Sequence, residues 1–242
     1  MGGQVSGIRA SVGFASEIGA RERNEDFAGA ILGWKLPRPR RDLVAALADG
    51  IGGAKGGRVA AETAVRGFLD GFCELPESVD VHGTATRVID ALNSWIFSLG
   101  RRDAALAEMG CTFTALVLRA DSAHVLHVGD SRAYLLRGDR LALLTTDHVH
   151  AVGGRRSSIL TRALGAEPEV RLDYTSRPIV PHDRFLLCSD GVHGALPAEA
   201  IAAILHRGLA SDDCAQALVT AALDAGGSDN ATALVIDVAA IR

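Results

Sequence analysis

Eight short segments of the chain alternate or cluster their apolar residues as β-strands do. These segments span residues 11–16, 27–34, 43–48, 112–119, 123–128, 132–137, 184–188 and 231–238. Tight polar turns join several of them, which favours antiparallel hairpins over the long crossover connections of parallel sheets. The pattern therefore predicts a protein rich in antiparallel β-structure.

Two stretches between the third and fourth of these strands repeat their apolar residues every three or four positions, as α-helices do. The first stripe is Val65, Phe68, Leu69 and Phe72, and the second is Ala85, Val88, Ile89, Leu92, Trp95, Ile96 and Leu99. Two more helices are predicted near the end of the chain. One begins at Pro197 and ends before Gly208, and the other has Ser211 as its N-cap and ends at Gly226.

The order of these elements is strands, two helices, strands, two helices and a final strand. Such grouping predicts an α+β domain with layered antiparallel sheets, not a parallel sheet built from βαβ units. With 242 residues, the chain is predicted to form a single domain over residues 1–242. A formal net charge of −4 argues against a nucleic-acid partner. We find no apolar run long enough for a membrane helix and no secretory signal, so we expect a cytoplasmic protein.

Three further features have ordinary interpretations. The cysteines share no C-x-x-C spacing and no C-x5-R phosphate loop, so we expect buried, reduced thiols and no cysteine nucleophile. The glycine-rich residues 52–57 lack the order of a nucleotide-binding loop. The basic, proline-containing residues 35–41 (KLPRPRR) are predicted to be a solvated hairpin connection.

Candidate chemistry lies in acidic segments at the ends of predicted strands. They are RERNED at 21–26, DGIGG at 49–53, GDSR at 129–132, SDG at 189–191 and SDNAT at 228–232. Taken singly, an Asp-Gly pair after a strand is more often a turn than a metal site. A fold that gathered several of these carboxylates would make them repel one another. Hard divalent cations such as Mg²⁺ or Mn²⁺ would relieve that repulsion.

The order of these motifs resembles the metal-dependent protein phosphatase family, type 2C, and is most similar to its compact bacterial members. The resemblance runs from about Val12 to Val238. It implies two packed antiparallel β-sheets flanked by helices, an α-β-β-α sandwich, in agreement with the element pattern. It also implies hydrolysis of phosphoserine and phosphothreonine on proteins by a water that bridges two divalent cations. Such an enzyme would oppose a bacterial serine/threonine kinase.

The same resemblance implies a role for each acidic motif. The protein ligands of two Mn²⁺ or Mg²⁺ ions would be Glu25, Asp49, the Gly50 carbonyl, Asp190 and Asp229. Asp49 would bridge the two ions and is, with Arg21, a catalytic candidate. Gly50 has no Cβ, which would let its carbonyl approach a cation closely.

The remaining implied roles are supporting ones. Arg21 would bind the substrate phosphate through its planar guanidinium. Asp26 and Asn230 would orient the site from outside the ligand set. Asp130 would help to bind a possible third, weaker ion, and its alternative is a turn aspartate paired with Arg132.

The chain also departs from the family pattern. Ile51 stands where many eukaryotic members carry a histidine proposed as general acid. The source of the leaving-group proton therefore stays open between a metal-bound water and His148, which is interpreted first as structural. Bacterial members carry a longer helical flap where this chain has only residues 149–159. That length predicts a short, mobile flap and an open substrate groove. Arg155 and Arg156 there are either solvated or in contact with phosphate or an acidic partner.

Two other functions stay open at this point. One is a binding module that recognises phosphoproteins without turnover, against which the complete ligand set argues. The other is a metal-dependent phosphatase of small phosphate esters. The favoured hypothesis is a monomeric protein phosphatase whose partners are phosphorylated protein substrates and an opposing kinase system, with no nucleic acid and no membrane.

Overall fold

The computed structural model describes residues 8–37, 40, 42–51, 56–152 and 155–241. The strands are β1 (Ile8–Glu17), β2 (Phe27–Leu32), β3 (Leu43–Ala48), β4 (Gly50–Ile51), β5 (Gly110–Cys111), β6 (Phe113–Arg119), β7 (Ser122–Val128), β8 (Arg132–Arg137), β9 (Arg140–Leu143), β10 (Val149–Val152), β11 (Arg155–Leu160), β12 (Asp173–Pro178), β13 (Arg184–Cys188) and β14 (Ala231–Ile241). The helices are α1 (Gly56–Glu74), α2 (Val81–Arg102), α3 (Asp190–His193), α4 (Ala198–Leu205) and α5 (Ser211–Asp224).

Two five-stranded sheets form the centre of the molecule. The first has the strand order β1-β14-β13-β8-β9 and the second β12-β7-β6-β3-β2. Every neighbouring pair in both sheets is antiparallel. Helices α1 and α2 cover the second sheet, and α3, α4 and α5 cover the first. The predicted α+β sandwich of two antiparallel sheets flanked by helices is confirmed.

The apolar core has three layers, and strand β3 shows why. All six of its residues, LVAALA, are buried because both of its faces are covered. Leu43 and Leu47 point between the two sheets, whereas Val44 and Ala46 pack under α1 and α2. A strand buried on both faces is a continuous apolar run without alternation, which is what the sequence shows here.

The predicted strands and helices are all present, with differences at single positions. Trp95 was predicted to lie on the core stripe of α2 but is 57% exposed. Ser211 was predicted to be an N-cap, yet the cap of α5 is Ala210. The Ser211 hydroxyl instead donates to the Asp237 carboxylate across a distance of 2.8 Å.

The prediction of a solvated connection at residues 35–41 is wrong at Arg40. Its side chain is only 11% exposed. The guanidinium donates to the carbonyls of Cys73 and Leu75 at the end of α1, at 2.9 and 2.6 Å, and to the Asp42 carboxylate at 3.0 Å. Residues 38, 39 and 41 lie outside the described part of the chain.

The segment predicted as a short flap forms a hairpin of β10 and β11, with Val149 opposite Leu160. Residues 153–154 and the side chains of Arg155 and Arg156 lie outside what the structure describes. Among the described residues, no helix combines the length and apolar character needed to cross a bilayer.

Candidate active site

The acidic motifs meet at one end of the sandwich because they lie at adjoining strand ends of both sheets. Phe27 pairs with Ala48, which places the loop before β2 beside the loop after β3. In the other sheet, Cys188 pairs with Ala233, which places the turn after β13 beside the turn before β14. These loops line one cleft of about 1260 Å³. Its wall contains all the predicted cation ligands and phosphate contacts, namely Arg21, Glu25, Asp49, Gly50, Asp130, Asp190 and Asp229.

Thr112 holds the backbone of Asp49 in place. The Asp49 amide donates to the Thr112 hydroxyl at 2.9 Å, and the Thr112 amide donates to the Asp49 carbonyl at 2.8 Å. The Thr112 hydroxyl also lies 2.6 Å from the hydroxyl of Ser131, the residue after Asp130. A buried pair of hydroxyls therefore joins the loops that carry Asp49 and Asp130.

The carboxyls of this cleft disfavour their own ionisation. Burial raises the pKa of Asp49 well above its ordinary value, and the charges of Asp26 and Asp190 add to this effect. Burial and the charge of Asp229 also raise the pKa of Asp190, although a hydrogen bond with Asp49 opposes them. Burial raises the pKa of Glu25 as well, against the opposing charge of Arg21. The site therefore has a strong preference for added positive charge.

Two buried carboxylate oxygens have no hydrogen-bond partner among the described residues. They are Oδ1 of Asp26 and Oδ1 of Asp190. The other oxygen of Asp26 accepts from the Ser189 hydroxyl at 2.7 Å, and burial raises the pKa of Asp26 to about 7. Buried polar atoms without partners are rare in folded proteins. Oxygen donors of this kind suit a hard divalent cation.

Gly50 and Gly57 form a close contact between β4 and the start of α1. A Cβ on Gly50 would lie 2.3 Å from the carbonyl of Gly57, so no other residue fits there. A Cβ on Gly57 would lie 3.0 Å from Oε2 of Glu25. The two glycines thus leave space in which the Gly50 backbone and the Glu25 carboxylate lie side by side.

Arg21 and Asp229 form an ion pair at the mouth of the cleft. Nη2 of Arg21 lies 2.6 Å from Oδ2 of Asp229, and the two side chains are 61% and 35% exposed. In the described ranges, no group of three or more histidine, cysteine or acidic side chains is arranged closely enough to hold one metal ion.

Asn230 organises the loop that carries Glu25. Its Oδ1 accepts from the Glu25 amide at 2.8 Å, and its Nδ2 donates to the carbonyls of Ile18 and Arg23, both at 2.8 Å. Asn230 therefore links the turn before β14 to the loop before β2.

Asp130 lies on the cleft wall, where burial and the charge of Asp190 raise its pKa to about 6. The alternative of a turn paired with Arg132 is not favoured, because Arg132 donates to both carboxylate oxygens of Asp147, at 3.0 and 2.8 Å. Asp130 thus faces the other carboxyls of the cleft.

His148 is a buried structural residue. Its Nδ1 accepts from the Gly129 amide at 3.0 Å, so its Nε2 carries the proton and donates to Asp173, also at 3.0 Å. Both ring nitrogens are therefore occupied. This geometry supports the structural interpretation of His148 over a role as general acid.

Cysteine chemistry has no support in the structure. Cys111 and Cys188 are fully buried, and burial raises the pKa of both thiols above the ordinary value. A thiol that stays protonated is a poor nucleophile. The predicted burial is confirmed for these two residues and for Cys214, but it is wrong for Cys73, which is only partly buried.

Three residues that shape the site, Thr112, Ser131 and Arg58, were not among the predicted site residues. The sequence does point to Thr112 and Ser131, because each is a small polar residue between apolar strand segments. Arg58 could have been noticed for another reason. It is a cation near the N-terminus of a helix, where the helix dipole disfavours positive charge.

Comparison with known proteins decides the family. The model of the family "Protein phosphatase 2C" matches residues 16–224. The chain belongs to the protein phosphatase 2C family. Its curated relatives include the serine/threonine phosphatase stp of Listeria innocua, which is 32% identical over 234 residues that cover 90% of this chain and 91% of the relative. The predictions of family and of phosphatase class are thereby confirmed.

Solved phosphatase 2C structures share the fold. The serine/threonine phosphatase of S. agalactiae has a TM-score of 0.85 and 27% identity, with 95% of this chain and 100% of that chain covered. The catalytic domain of the phosphatase PstP, in complex with two manganese ions, has a TM-score of 0.84 and 30% identity, with coverages of 96% and 99%.

Proposed function

We propose that this phosphatase 2C protein hydrolyses phosphoserine and phosphothreonine on proteins with the help of two divalent cations, Mn²⁺ or Mg²⁺. One observation carries the proposal: carboxyls from loops of both sheets meet in one cleft, where Asp190 has a buried oxygen without a hydrogen-bond partner, and Asp26, next to Glu25 in the chain, has another. The two manganese ions of the related PstP structure support the same ion count.

The residues that would hold the cations are Glu25, Asp49, the Gly50 carbonyl, Asp190 and Asp229. Asp130 is the candidate for a third ion. When bound, a pair of such cations supplies positive charge to the phosphate and lowers the pKa of a shared water. The buried hydroxyls of Thr112 and Ser131 hold the Asp49 loop against the Asp130 loop. Asn230 binds the amide of Glu25 and so holds its loop. Asp26 binds the Ser189 hydroxyl and so holds the turn of Asp190.

Arg21 is the proposed phosphate clamp. Its guanidinium lies at the cleft mouth and already binds an anionic oxygen, that of Asp229. When another positive charge neutralises Asp229, the guanidinium becomes available to the substrate phosphate. A guanidinium engages two phosphate oxygens at once, which fixes the orientation of the phosphoryl group.

The proposed substrates are phosphorylated proteins, and an opposing bacterial serine/threonine kinase is the proposed source of the modification. The names of the relatives, such as the serine/threonine phosphatase stp, support this substrate class. We further propose a monomer with one catalytic domain, in which the β10–β11 hairpin takes the place of a flap.

The decisive assay measures phosphate release from phosphothreonine peptides with Mn²⁺, with Mg²⁺ and with EDTA. We expect turnover with either cation and none with EDTA. Full activity in EDTA would overturn the role of the cations. Turnover of p-nitrophenyl phosphate alone would favour small phosphate esters as substrates. Binding of phosphopeptide without turnover, despite bound Mn²⁺, would favour a recognition module.

The Arg21→Met variant is expected to lose about 10–100-fold in kcat/KM, because a hydrogen bond to a charged group contributes about 1.5–3 kcal/mol. The loss should fall largely on KM for phosphopeptide. Arg21→Lys should recover part of the activity, since it keeps the charge but not the planar fork. Arg23→Met is the matched control, which removes a positive charge from the same loop. An equal loss of kcat/KM in both Met variants would show that Arg21 acts only through its positive charge and does not bind the phosphate specifically.

A further inference from the structure

Arg58 contacts the loop that carries Glu25, although no motif includes it. Its Nη1 donates to the carbonyl of Asp26, in a short hydrogen bond, and lies 3.5 Å from the carbonyl of Asn24. These two carbonyls lie on either side of Glu25. The guanidinium carbon also lies 4.8 Å from the centre of the Phe27 ring. One side chain of α1 therefore binds the backbone on both sides of a proposed cation ligand.

The position of Arg58 is electrostatically unfavourable without these contacts. It lies in the first described turn of α1, a turn that contains no acidic residue. The free amide groups at a helix N-terminus carry partial positive charge, so a cation there is disfavoured. The two carbonyls and the Phe27 ring supply the compensating negative charge. Arg58 is thus stabilised by the Glu25 loop, and the loop is stabilised by Arg58.

The geometry around Glu25 shows what these contacts fix. Asn230 accepts the hydrogen bond of the Glu25 amide at 2.8 Å. A Cβ on Gly57, the residue before Arg58, would lie 3.0 Å from Oε2 of Glu25, so the glycine leaves the carboxylate its space. Three neighbours therefore hold Glu25 in place. Asn230 binds its amide, Arg58 binds the two flanking carbonyls, and Gly57 leaves space for the carboxylate. A shift of this backbone would turn the carboxylate away from the Gly50 carbonyl.

We propose that Arg58 is a positioning residue that holds the Glu25 carboxylate in its cation-binding orientation through the Asn24 and Asp26 carbonyls. This inference rests on the proposed function, in which Glu25 is a cation ligand. Arg58 acts on the affinity for the cation and touches neither the substrate nor the reacting atoms.

Arg66 offers a matched control within the same helix. Its guanidinium carbon lies 5.2 Å from the centre of the same Phe27 ring. Its Nε, however, binds Glu62 on its own helix at 2.7 Å. Arg66→Met therefore removes a stacked guanidinium from Phe27 and leaves the Asn24 and Asp26 carbonyls untouched.

The test is a calorimetric titration of Mn²⁺ into the metal-free protein and its variants. We expect Arg58→Met to weaken Mn²⁺ binding by about 10-fold, the effect of losing a partner just outside a metal's ligands. Arg58→Lys, which keeps one donor and the charge, should recover part of it, and Arg66→Met should stay within about twofold of the parent. In phosphopeptide assays, saturating Mn²⁺ should restore the kcat of Arg58→Met.

The outcomes separate the two hypotheses. If the parent binds no Mn²⁺, the proposed function fails. If the parent binds Mn²⁺ and Arg58→Met binds it as tightly as Arg66→Met does, the inference on Arg58 fails alone. Circular dichroism melting in EDTA checks the fold, and if Arg58→Met does not fold, Arg58→Lys is compared with Arg66→Met instead. Equal Mn²⁺ affinities in that pair would overturn the positioning role.

Discussion

The Asp49→Asn variant is expected to lose at least about 100-fold in kcat/KM, because even partners outside a metal's ligands contribute about 10–100-fold. The same variant is expected to melt at a higher temperature than the parent when both are free of metal. Loss of function and gain of stability would then come from one substitution. This is the signature of a residue whose charge serves function at the expense of the fold.

The opposite signs follow from the surroundings of Asp49. Its carboxyl is buried, and burial together with the charges of Asp26 and Asp190 raises its pKa. At pH 8 the metal-free protein must either ionise this group at a cost or keep it protonated. Asparagine has nearly the same shape and no charge, so it removes that cost. It also removes an anionic ligand, so the stabilisation that Mn²⁺ gives the folded state should shrink.

Differential scanning calorimetry in EDTA and in saturating Mn²⁺ measures both effects, beside the phosphopeptide assay. Asp139→Asn is the control, because Asp139 is exposed in the turn between β8 and β9. It should change neither activity nor the Mn²⁺-induced shift in Tm. A variant at Asp49 that melted lower than the parent in EDTA, with normal activity in Mn²⁺, would make Asp49 a structural residue.

The metal-free protein is expected to lose stability as the pH rises from 6.5 to 8. Burial raises the pKa of Asp26 to about 7 and that of Asp49 well above its ordinary value. In the unfolded chain these groups titrate near 3.9. The folded state therefore holds protons that the unfolded state has released. Stability from a raised pKa is complete below the unfolded value and is lost as the pH passes the folded value.

The choice of pH window matters because three histidines act in the opposite direction. Burial lowers the pKa of His124, and it lowers the pKa of His127 and of His193 to about 4. Their unfolded forms bind protons up to about pH 6.5, so their contribution to stability rises with pH below that value. The histidine effect weakens above pH 6.5 and has largely ended by about pH 7.5, so the carboxyl effect is the larger one between pH 6.5 and 8. Each carboxyl that stays protonated in the folded state gives a slope of about 1.4 kcal/mol per pH unit.

Urea unfolding at pH 6.5, 7.25 and 8 in EDTA measures this slope. Saturating Mn²⁺ should flatten or reverse it, since carboxylates must be deprotonated to bind a cation. Asp26→Asn should reduce the slope in EDTA. A metal-free parent that is more stable at pH 8 than at pH 6.5 would contradict the assigned burial of these carboxyls.

The sequence predicted the elements whose patterns are local. Strand β3 was visible because its run of apolar residues is continuous, and α1 because its apolar stripe repeats at helical spacing. Strand β12 was missed because its residues, DYTSRP, are polar, and they alternate only between half-buried and exposed at the edge of a sheet. Arg40 was misjudged for another reason. Its partners, the last carbonyls of α1, lie more than thirty positions away, and composition alone cannot show them.

The site divides in the same way. The resemblance to the phosphatase family implied which carboxylates would meet, and the structure brings Glu25, Asp49, Asp190 and Asp229 to one cleft. The pairing of Arg21 with Asp229 could not be predicted, because it depends on which charges are left uncompensated after folding. The contacts of Arg58 were hidden too, since they go to backbone carbonyls, which carry no residue identity.

The two sheets each contribute two of the four acidic residues proposed as cation ligands in the cleft. Glu25 and Asp49 lie next to strand ends of one sheet, whereas Asp190 and Asp229 lie next to strand ends of the other. The distances between the carboxylates therefore depend on how the two sheets are aligned. A displacement of about 1 Å at a reacting centre can cost about 100-fold in rate. Substitutions among the side chains between the sheets, such as Leu116 or Phe185, can thus alter catalysis from a distance by sliding one sheet over the other, even when the chain folds normally.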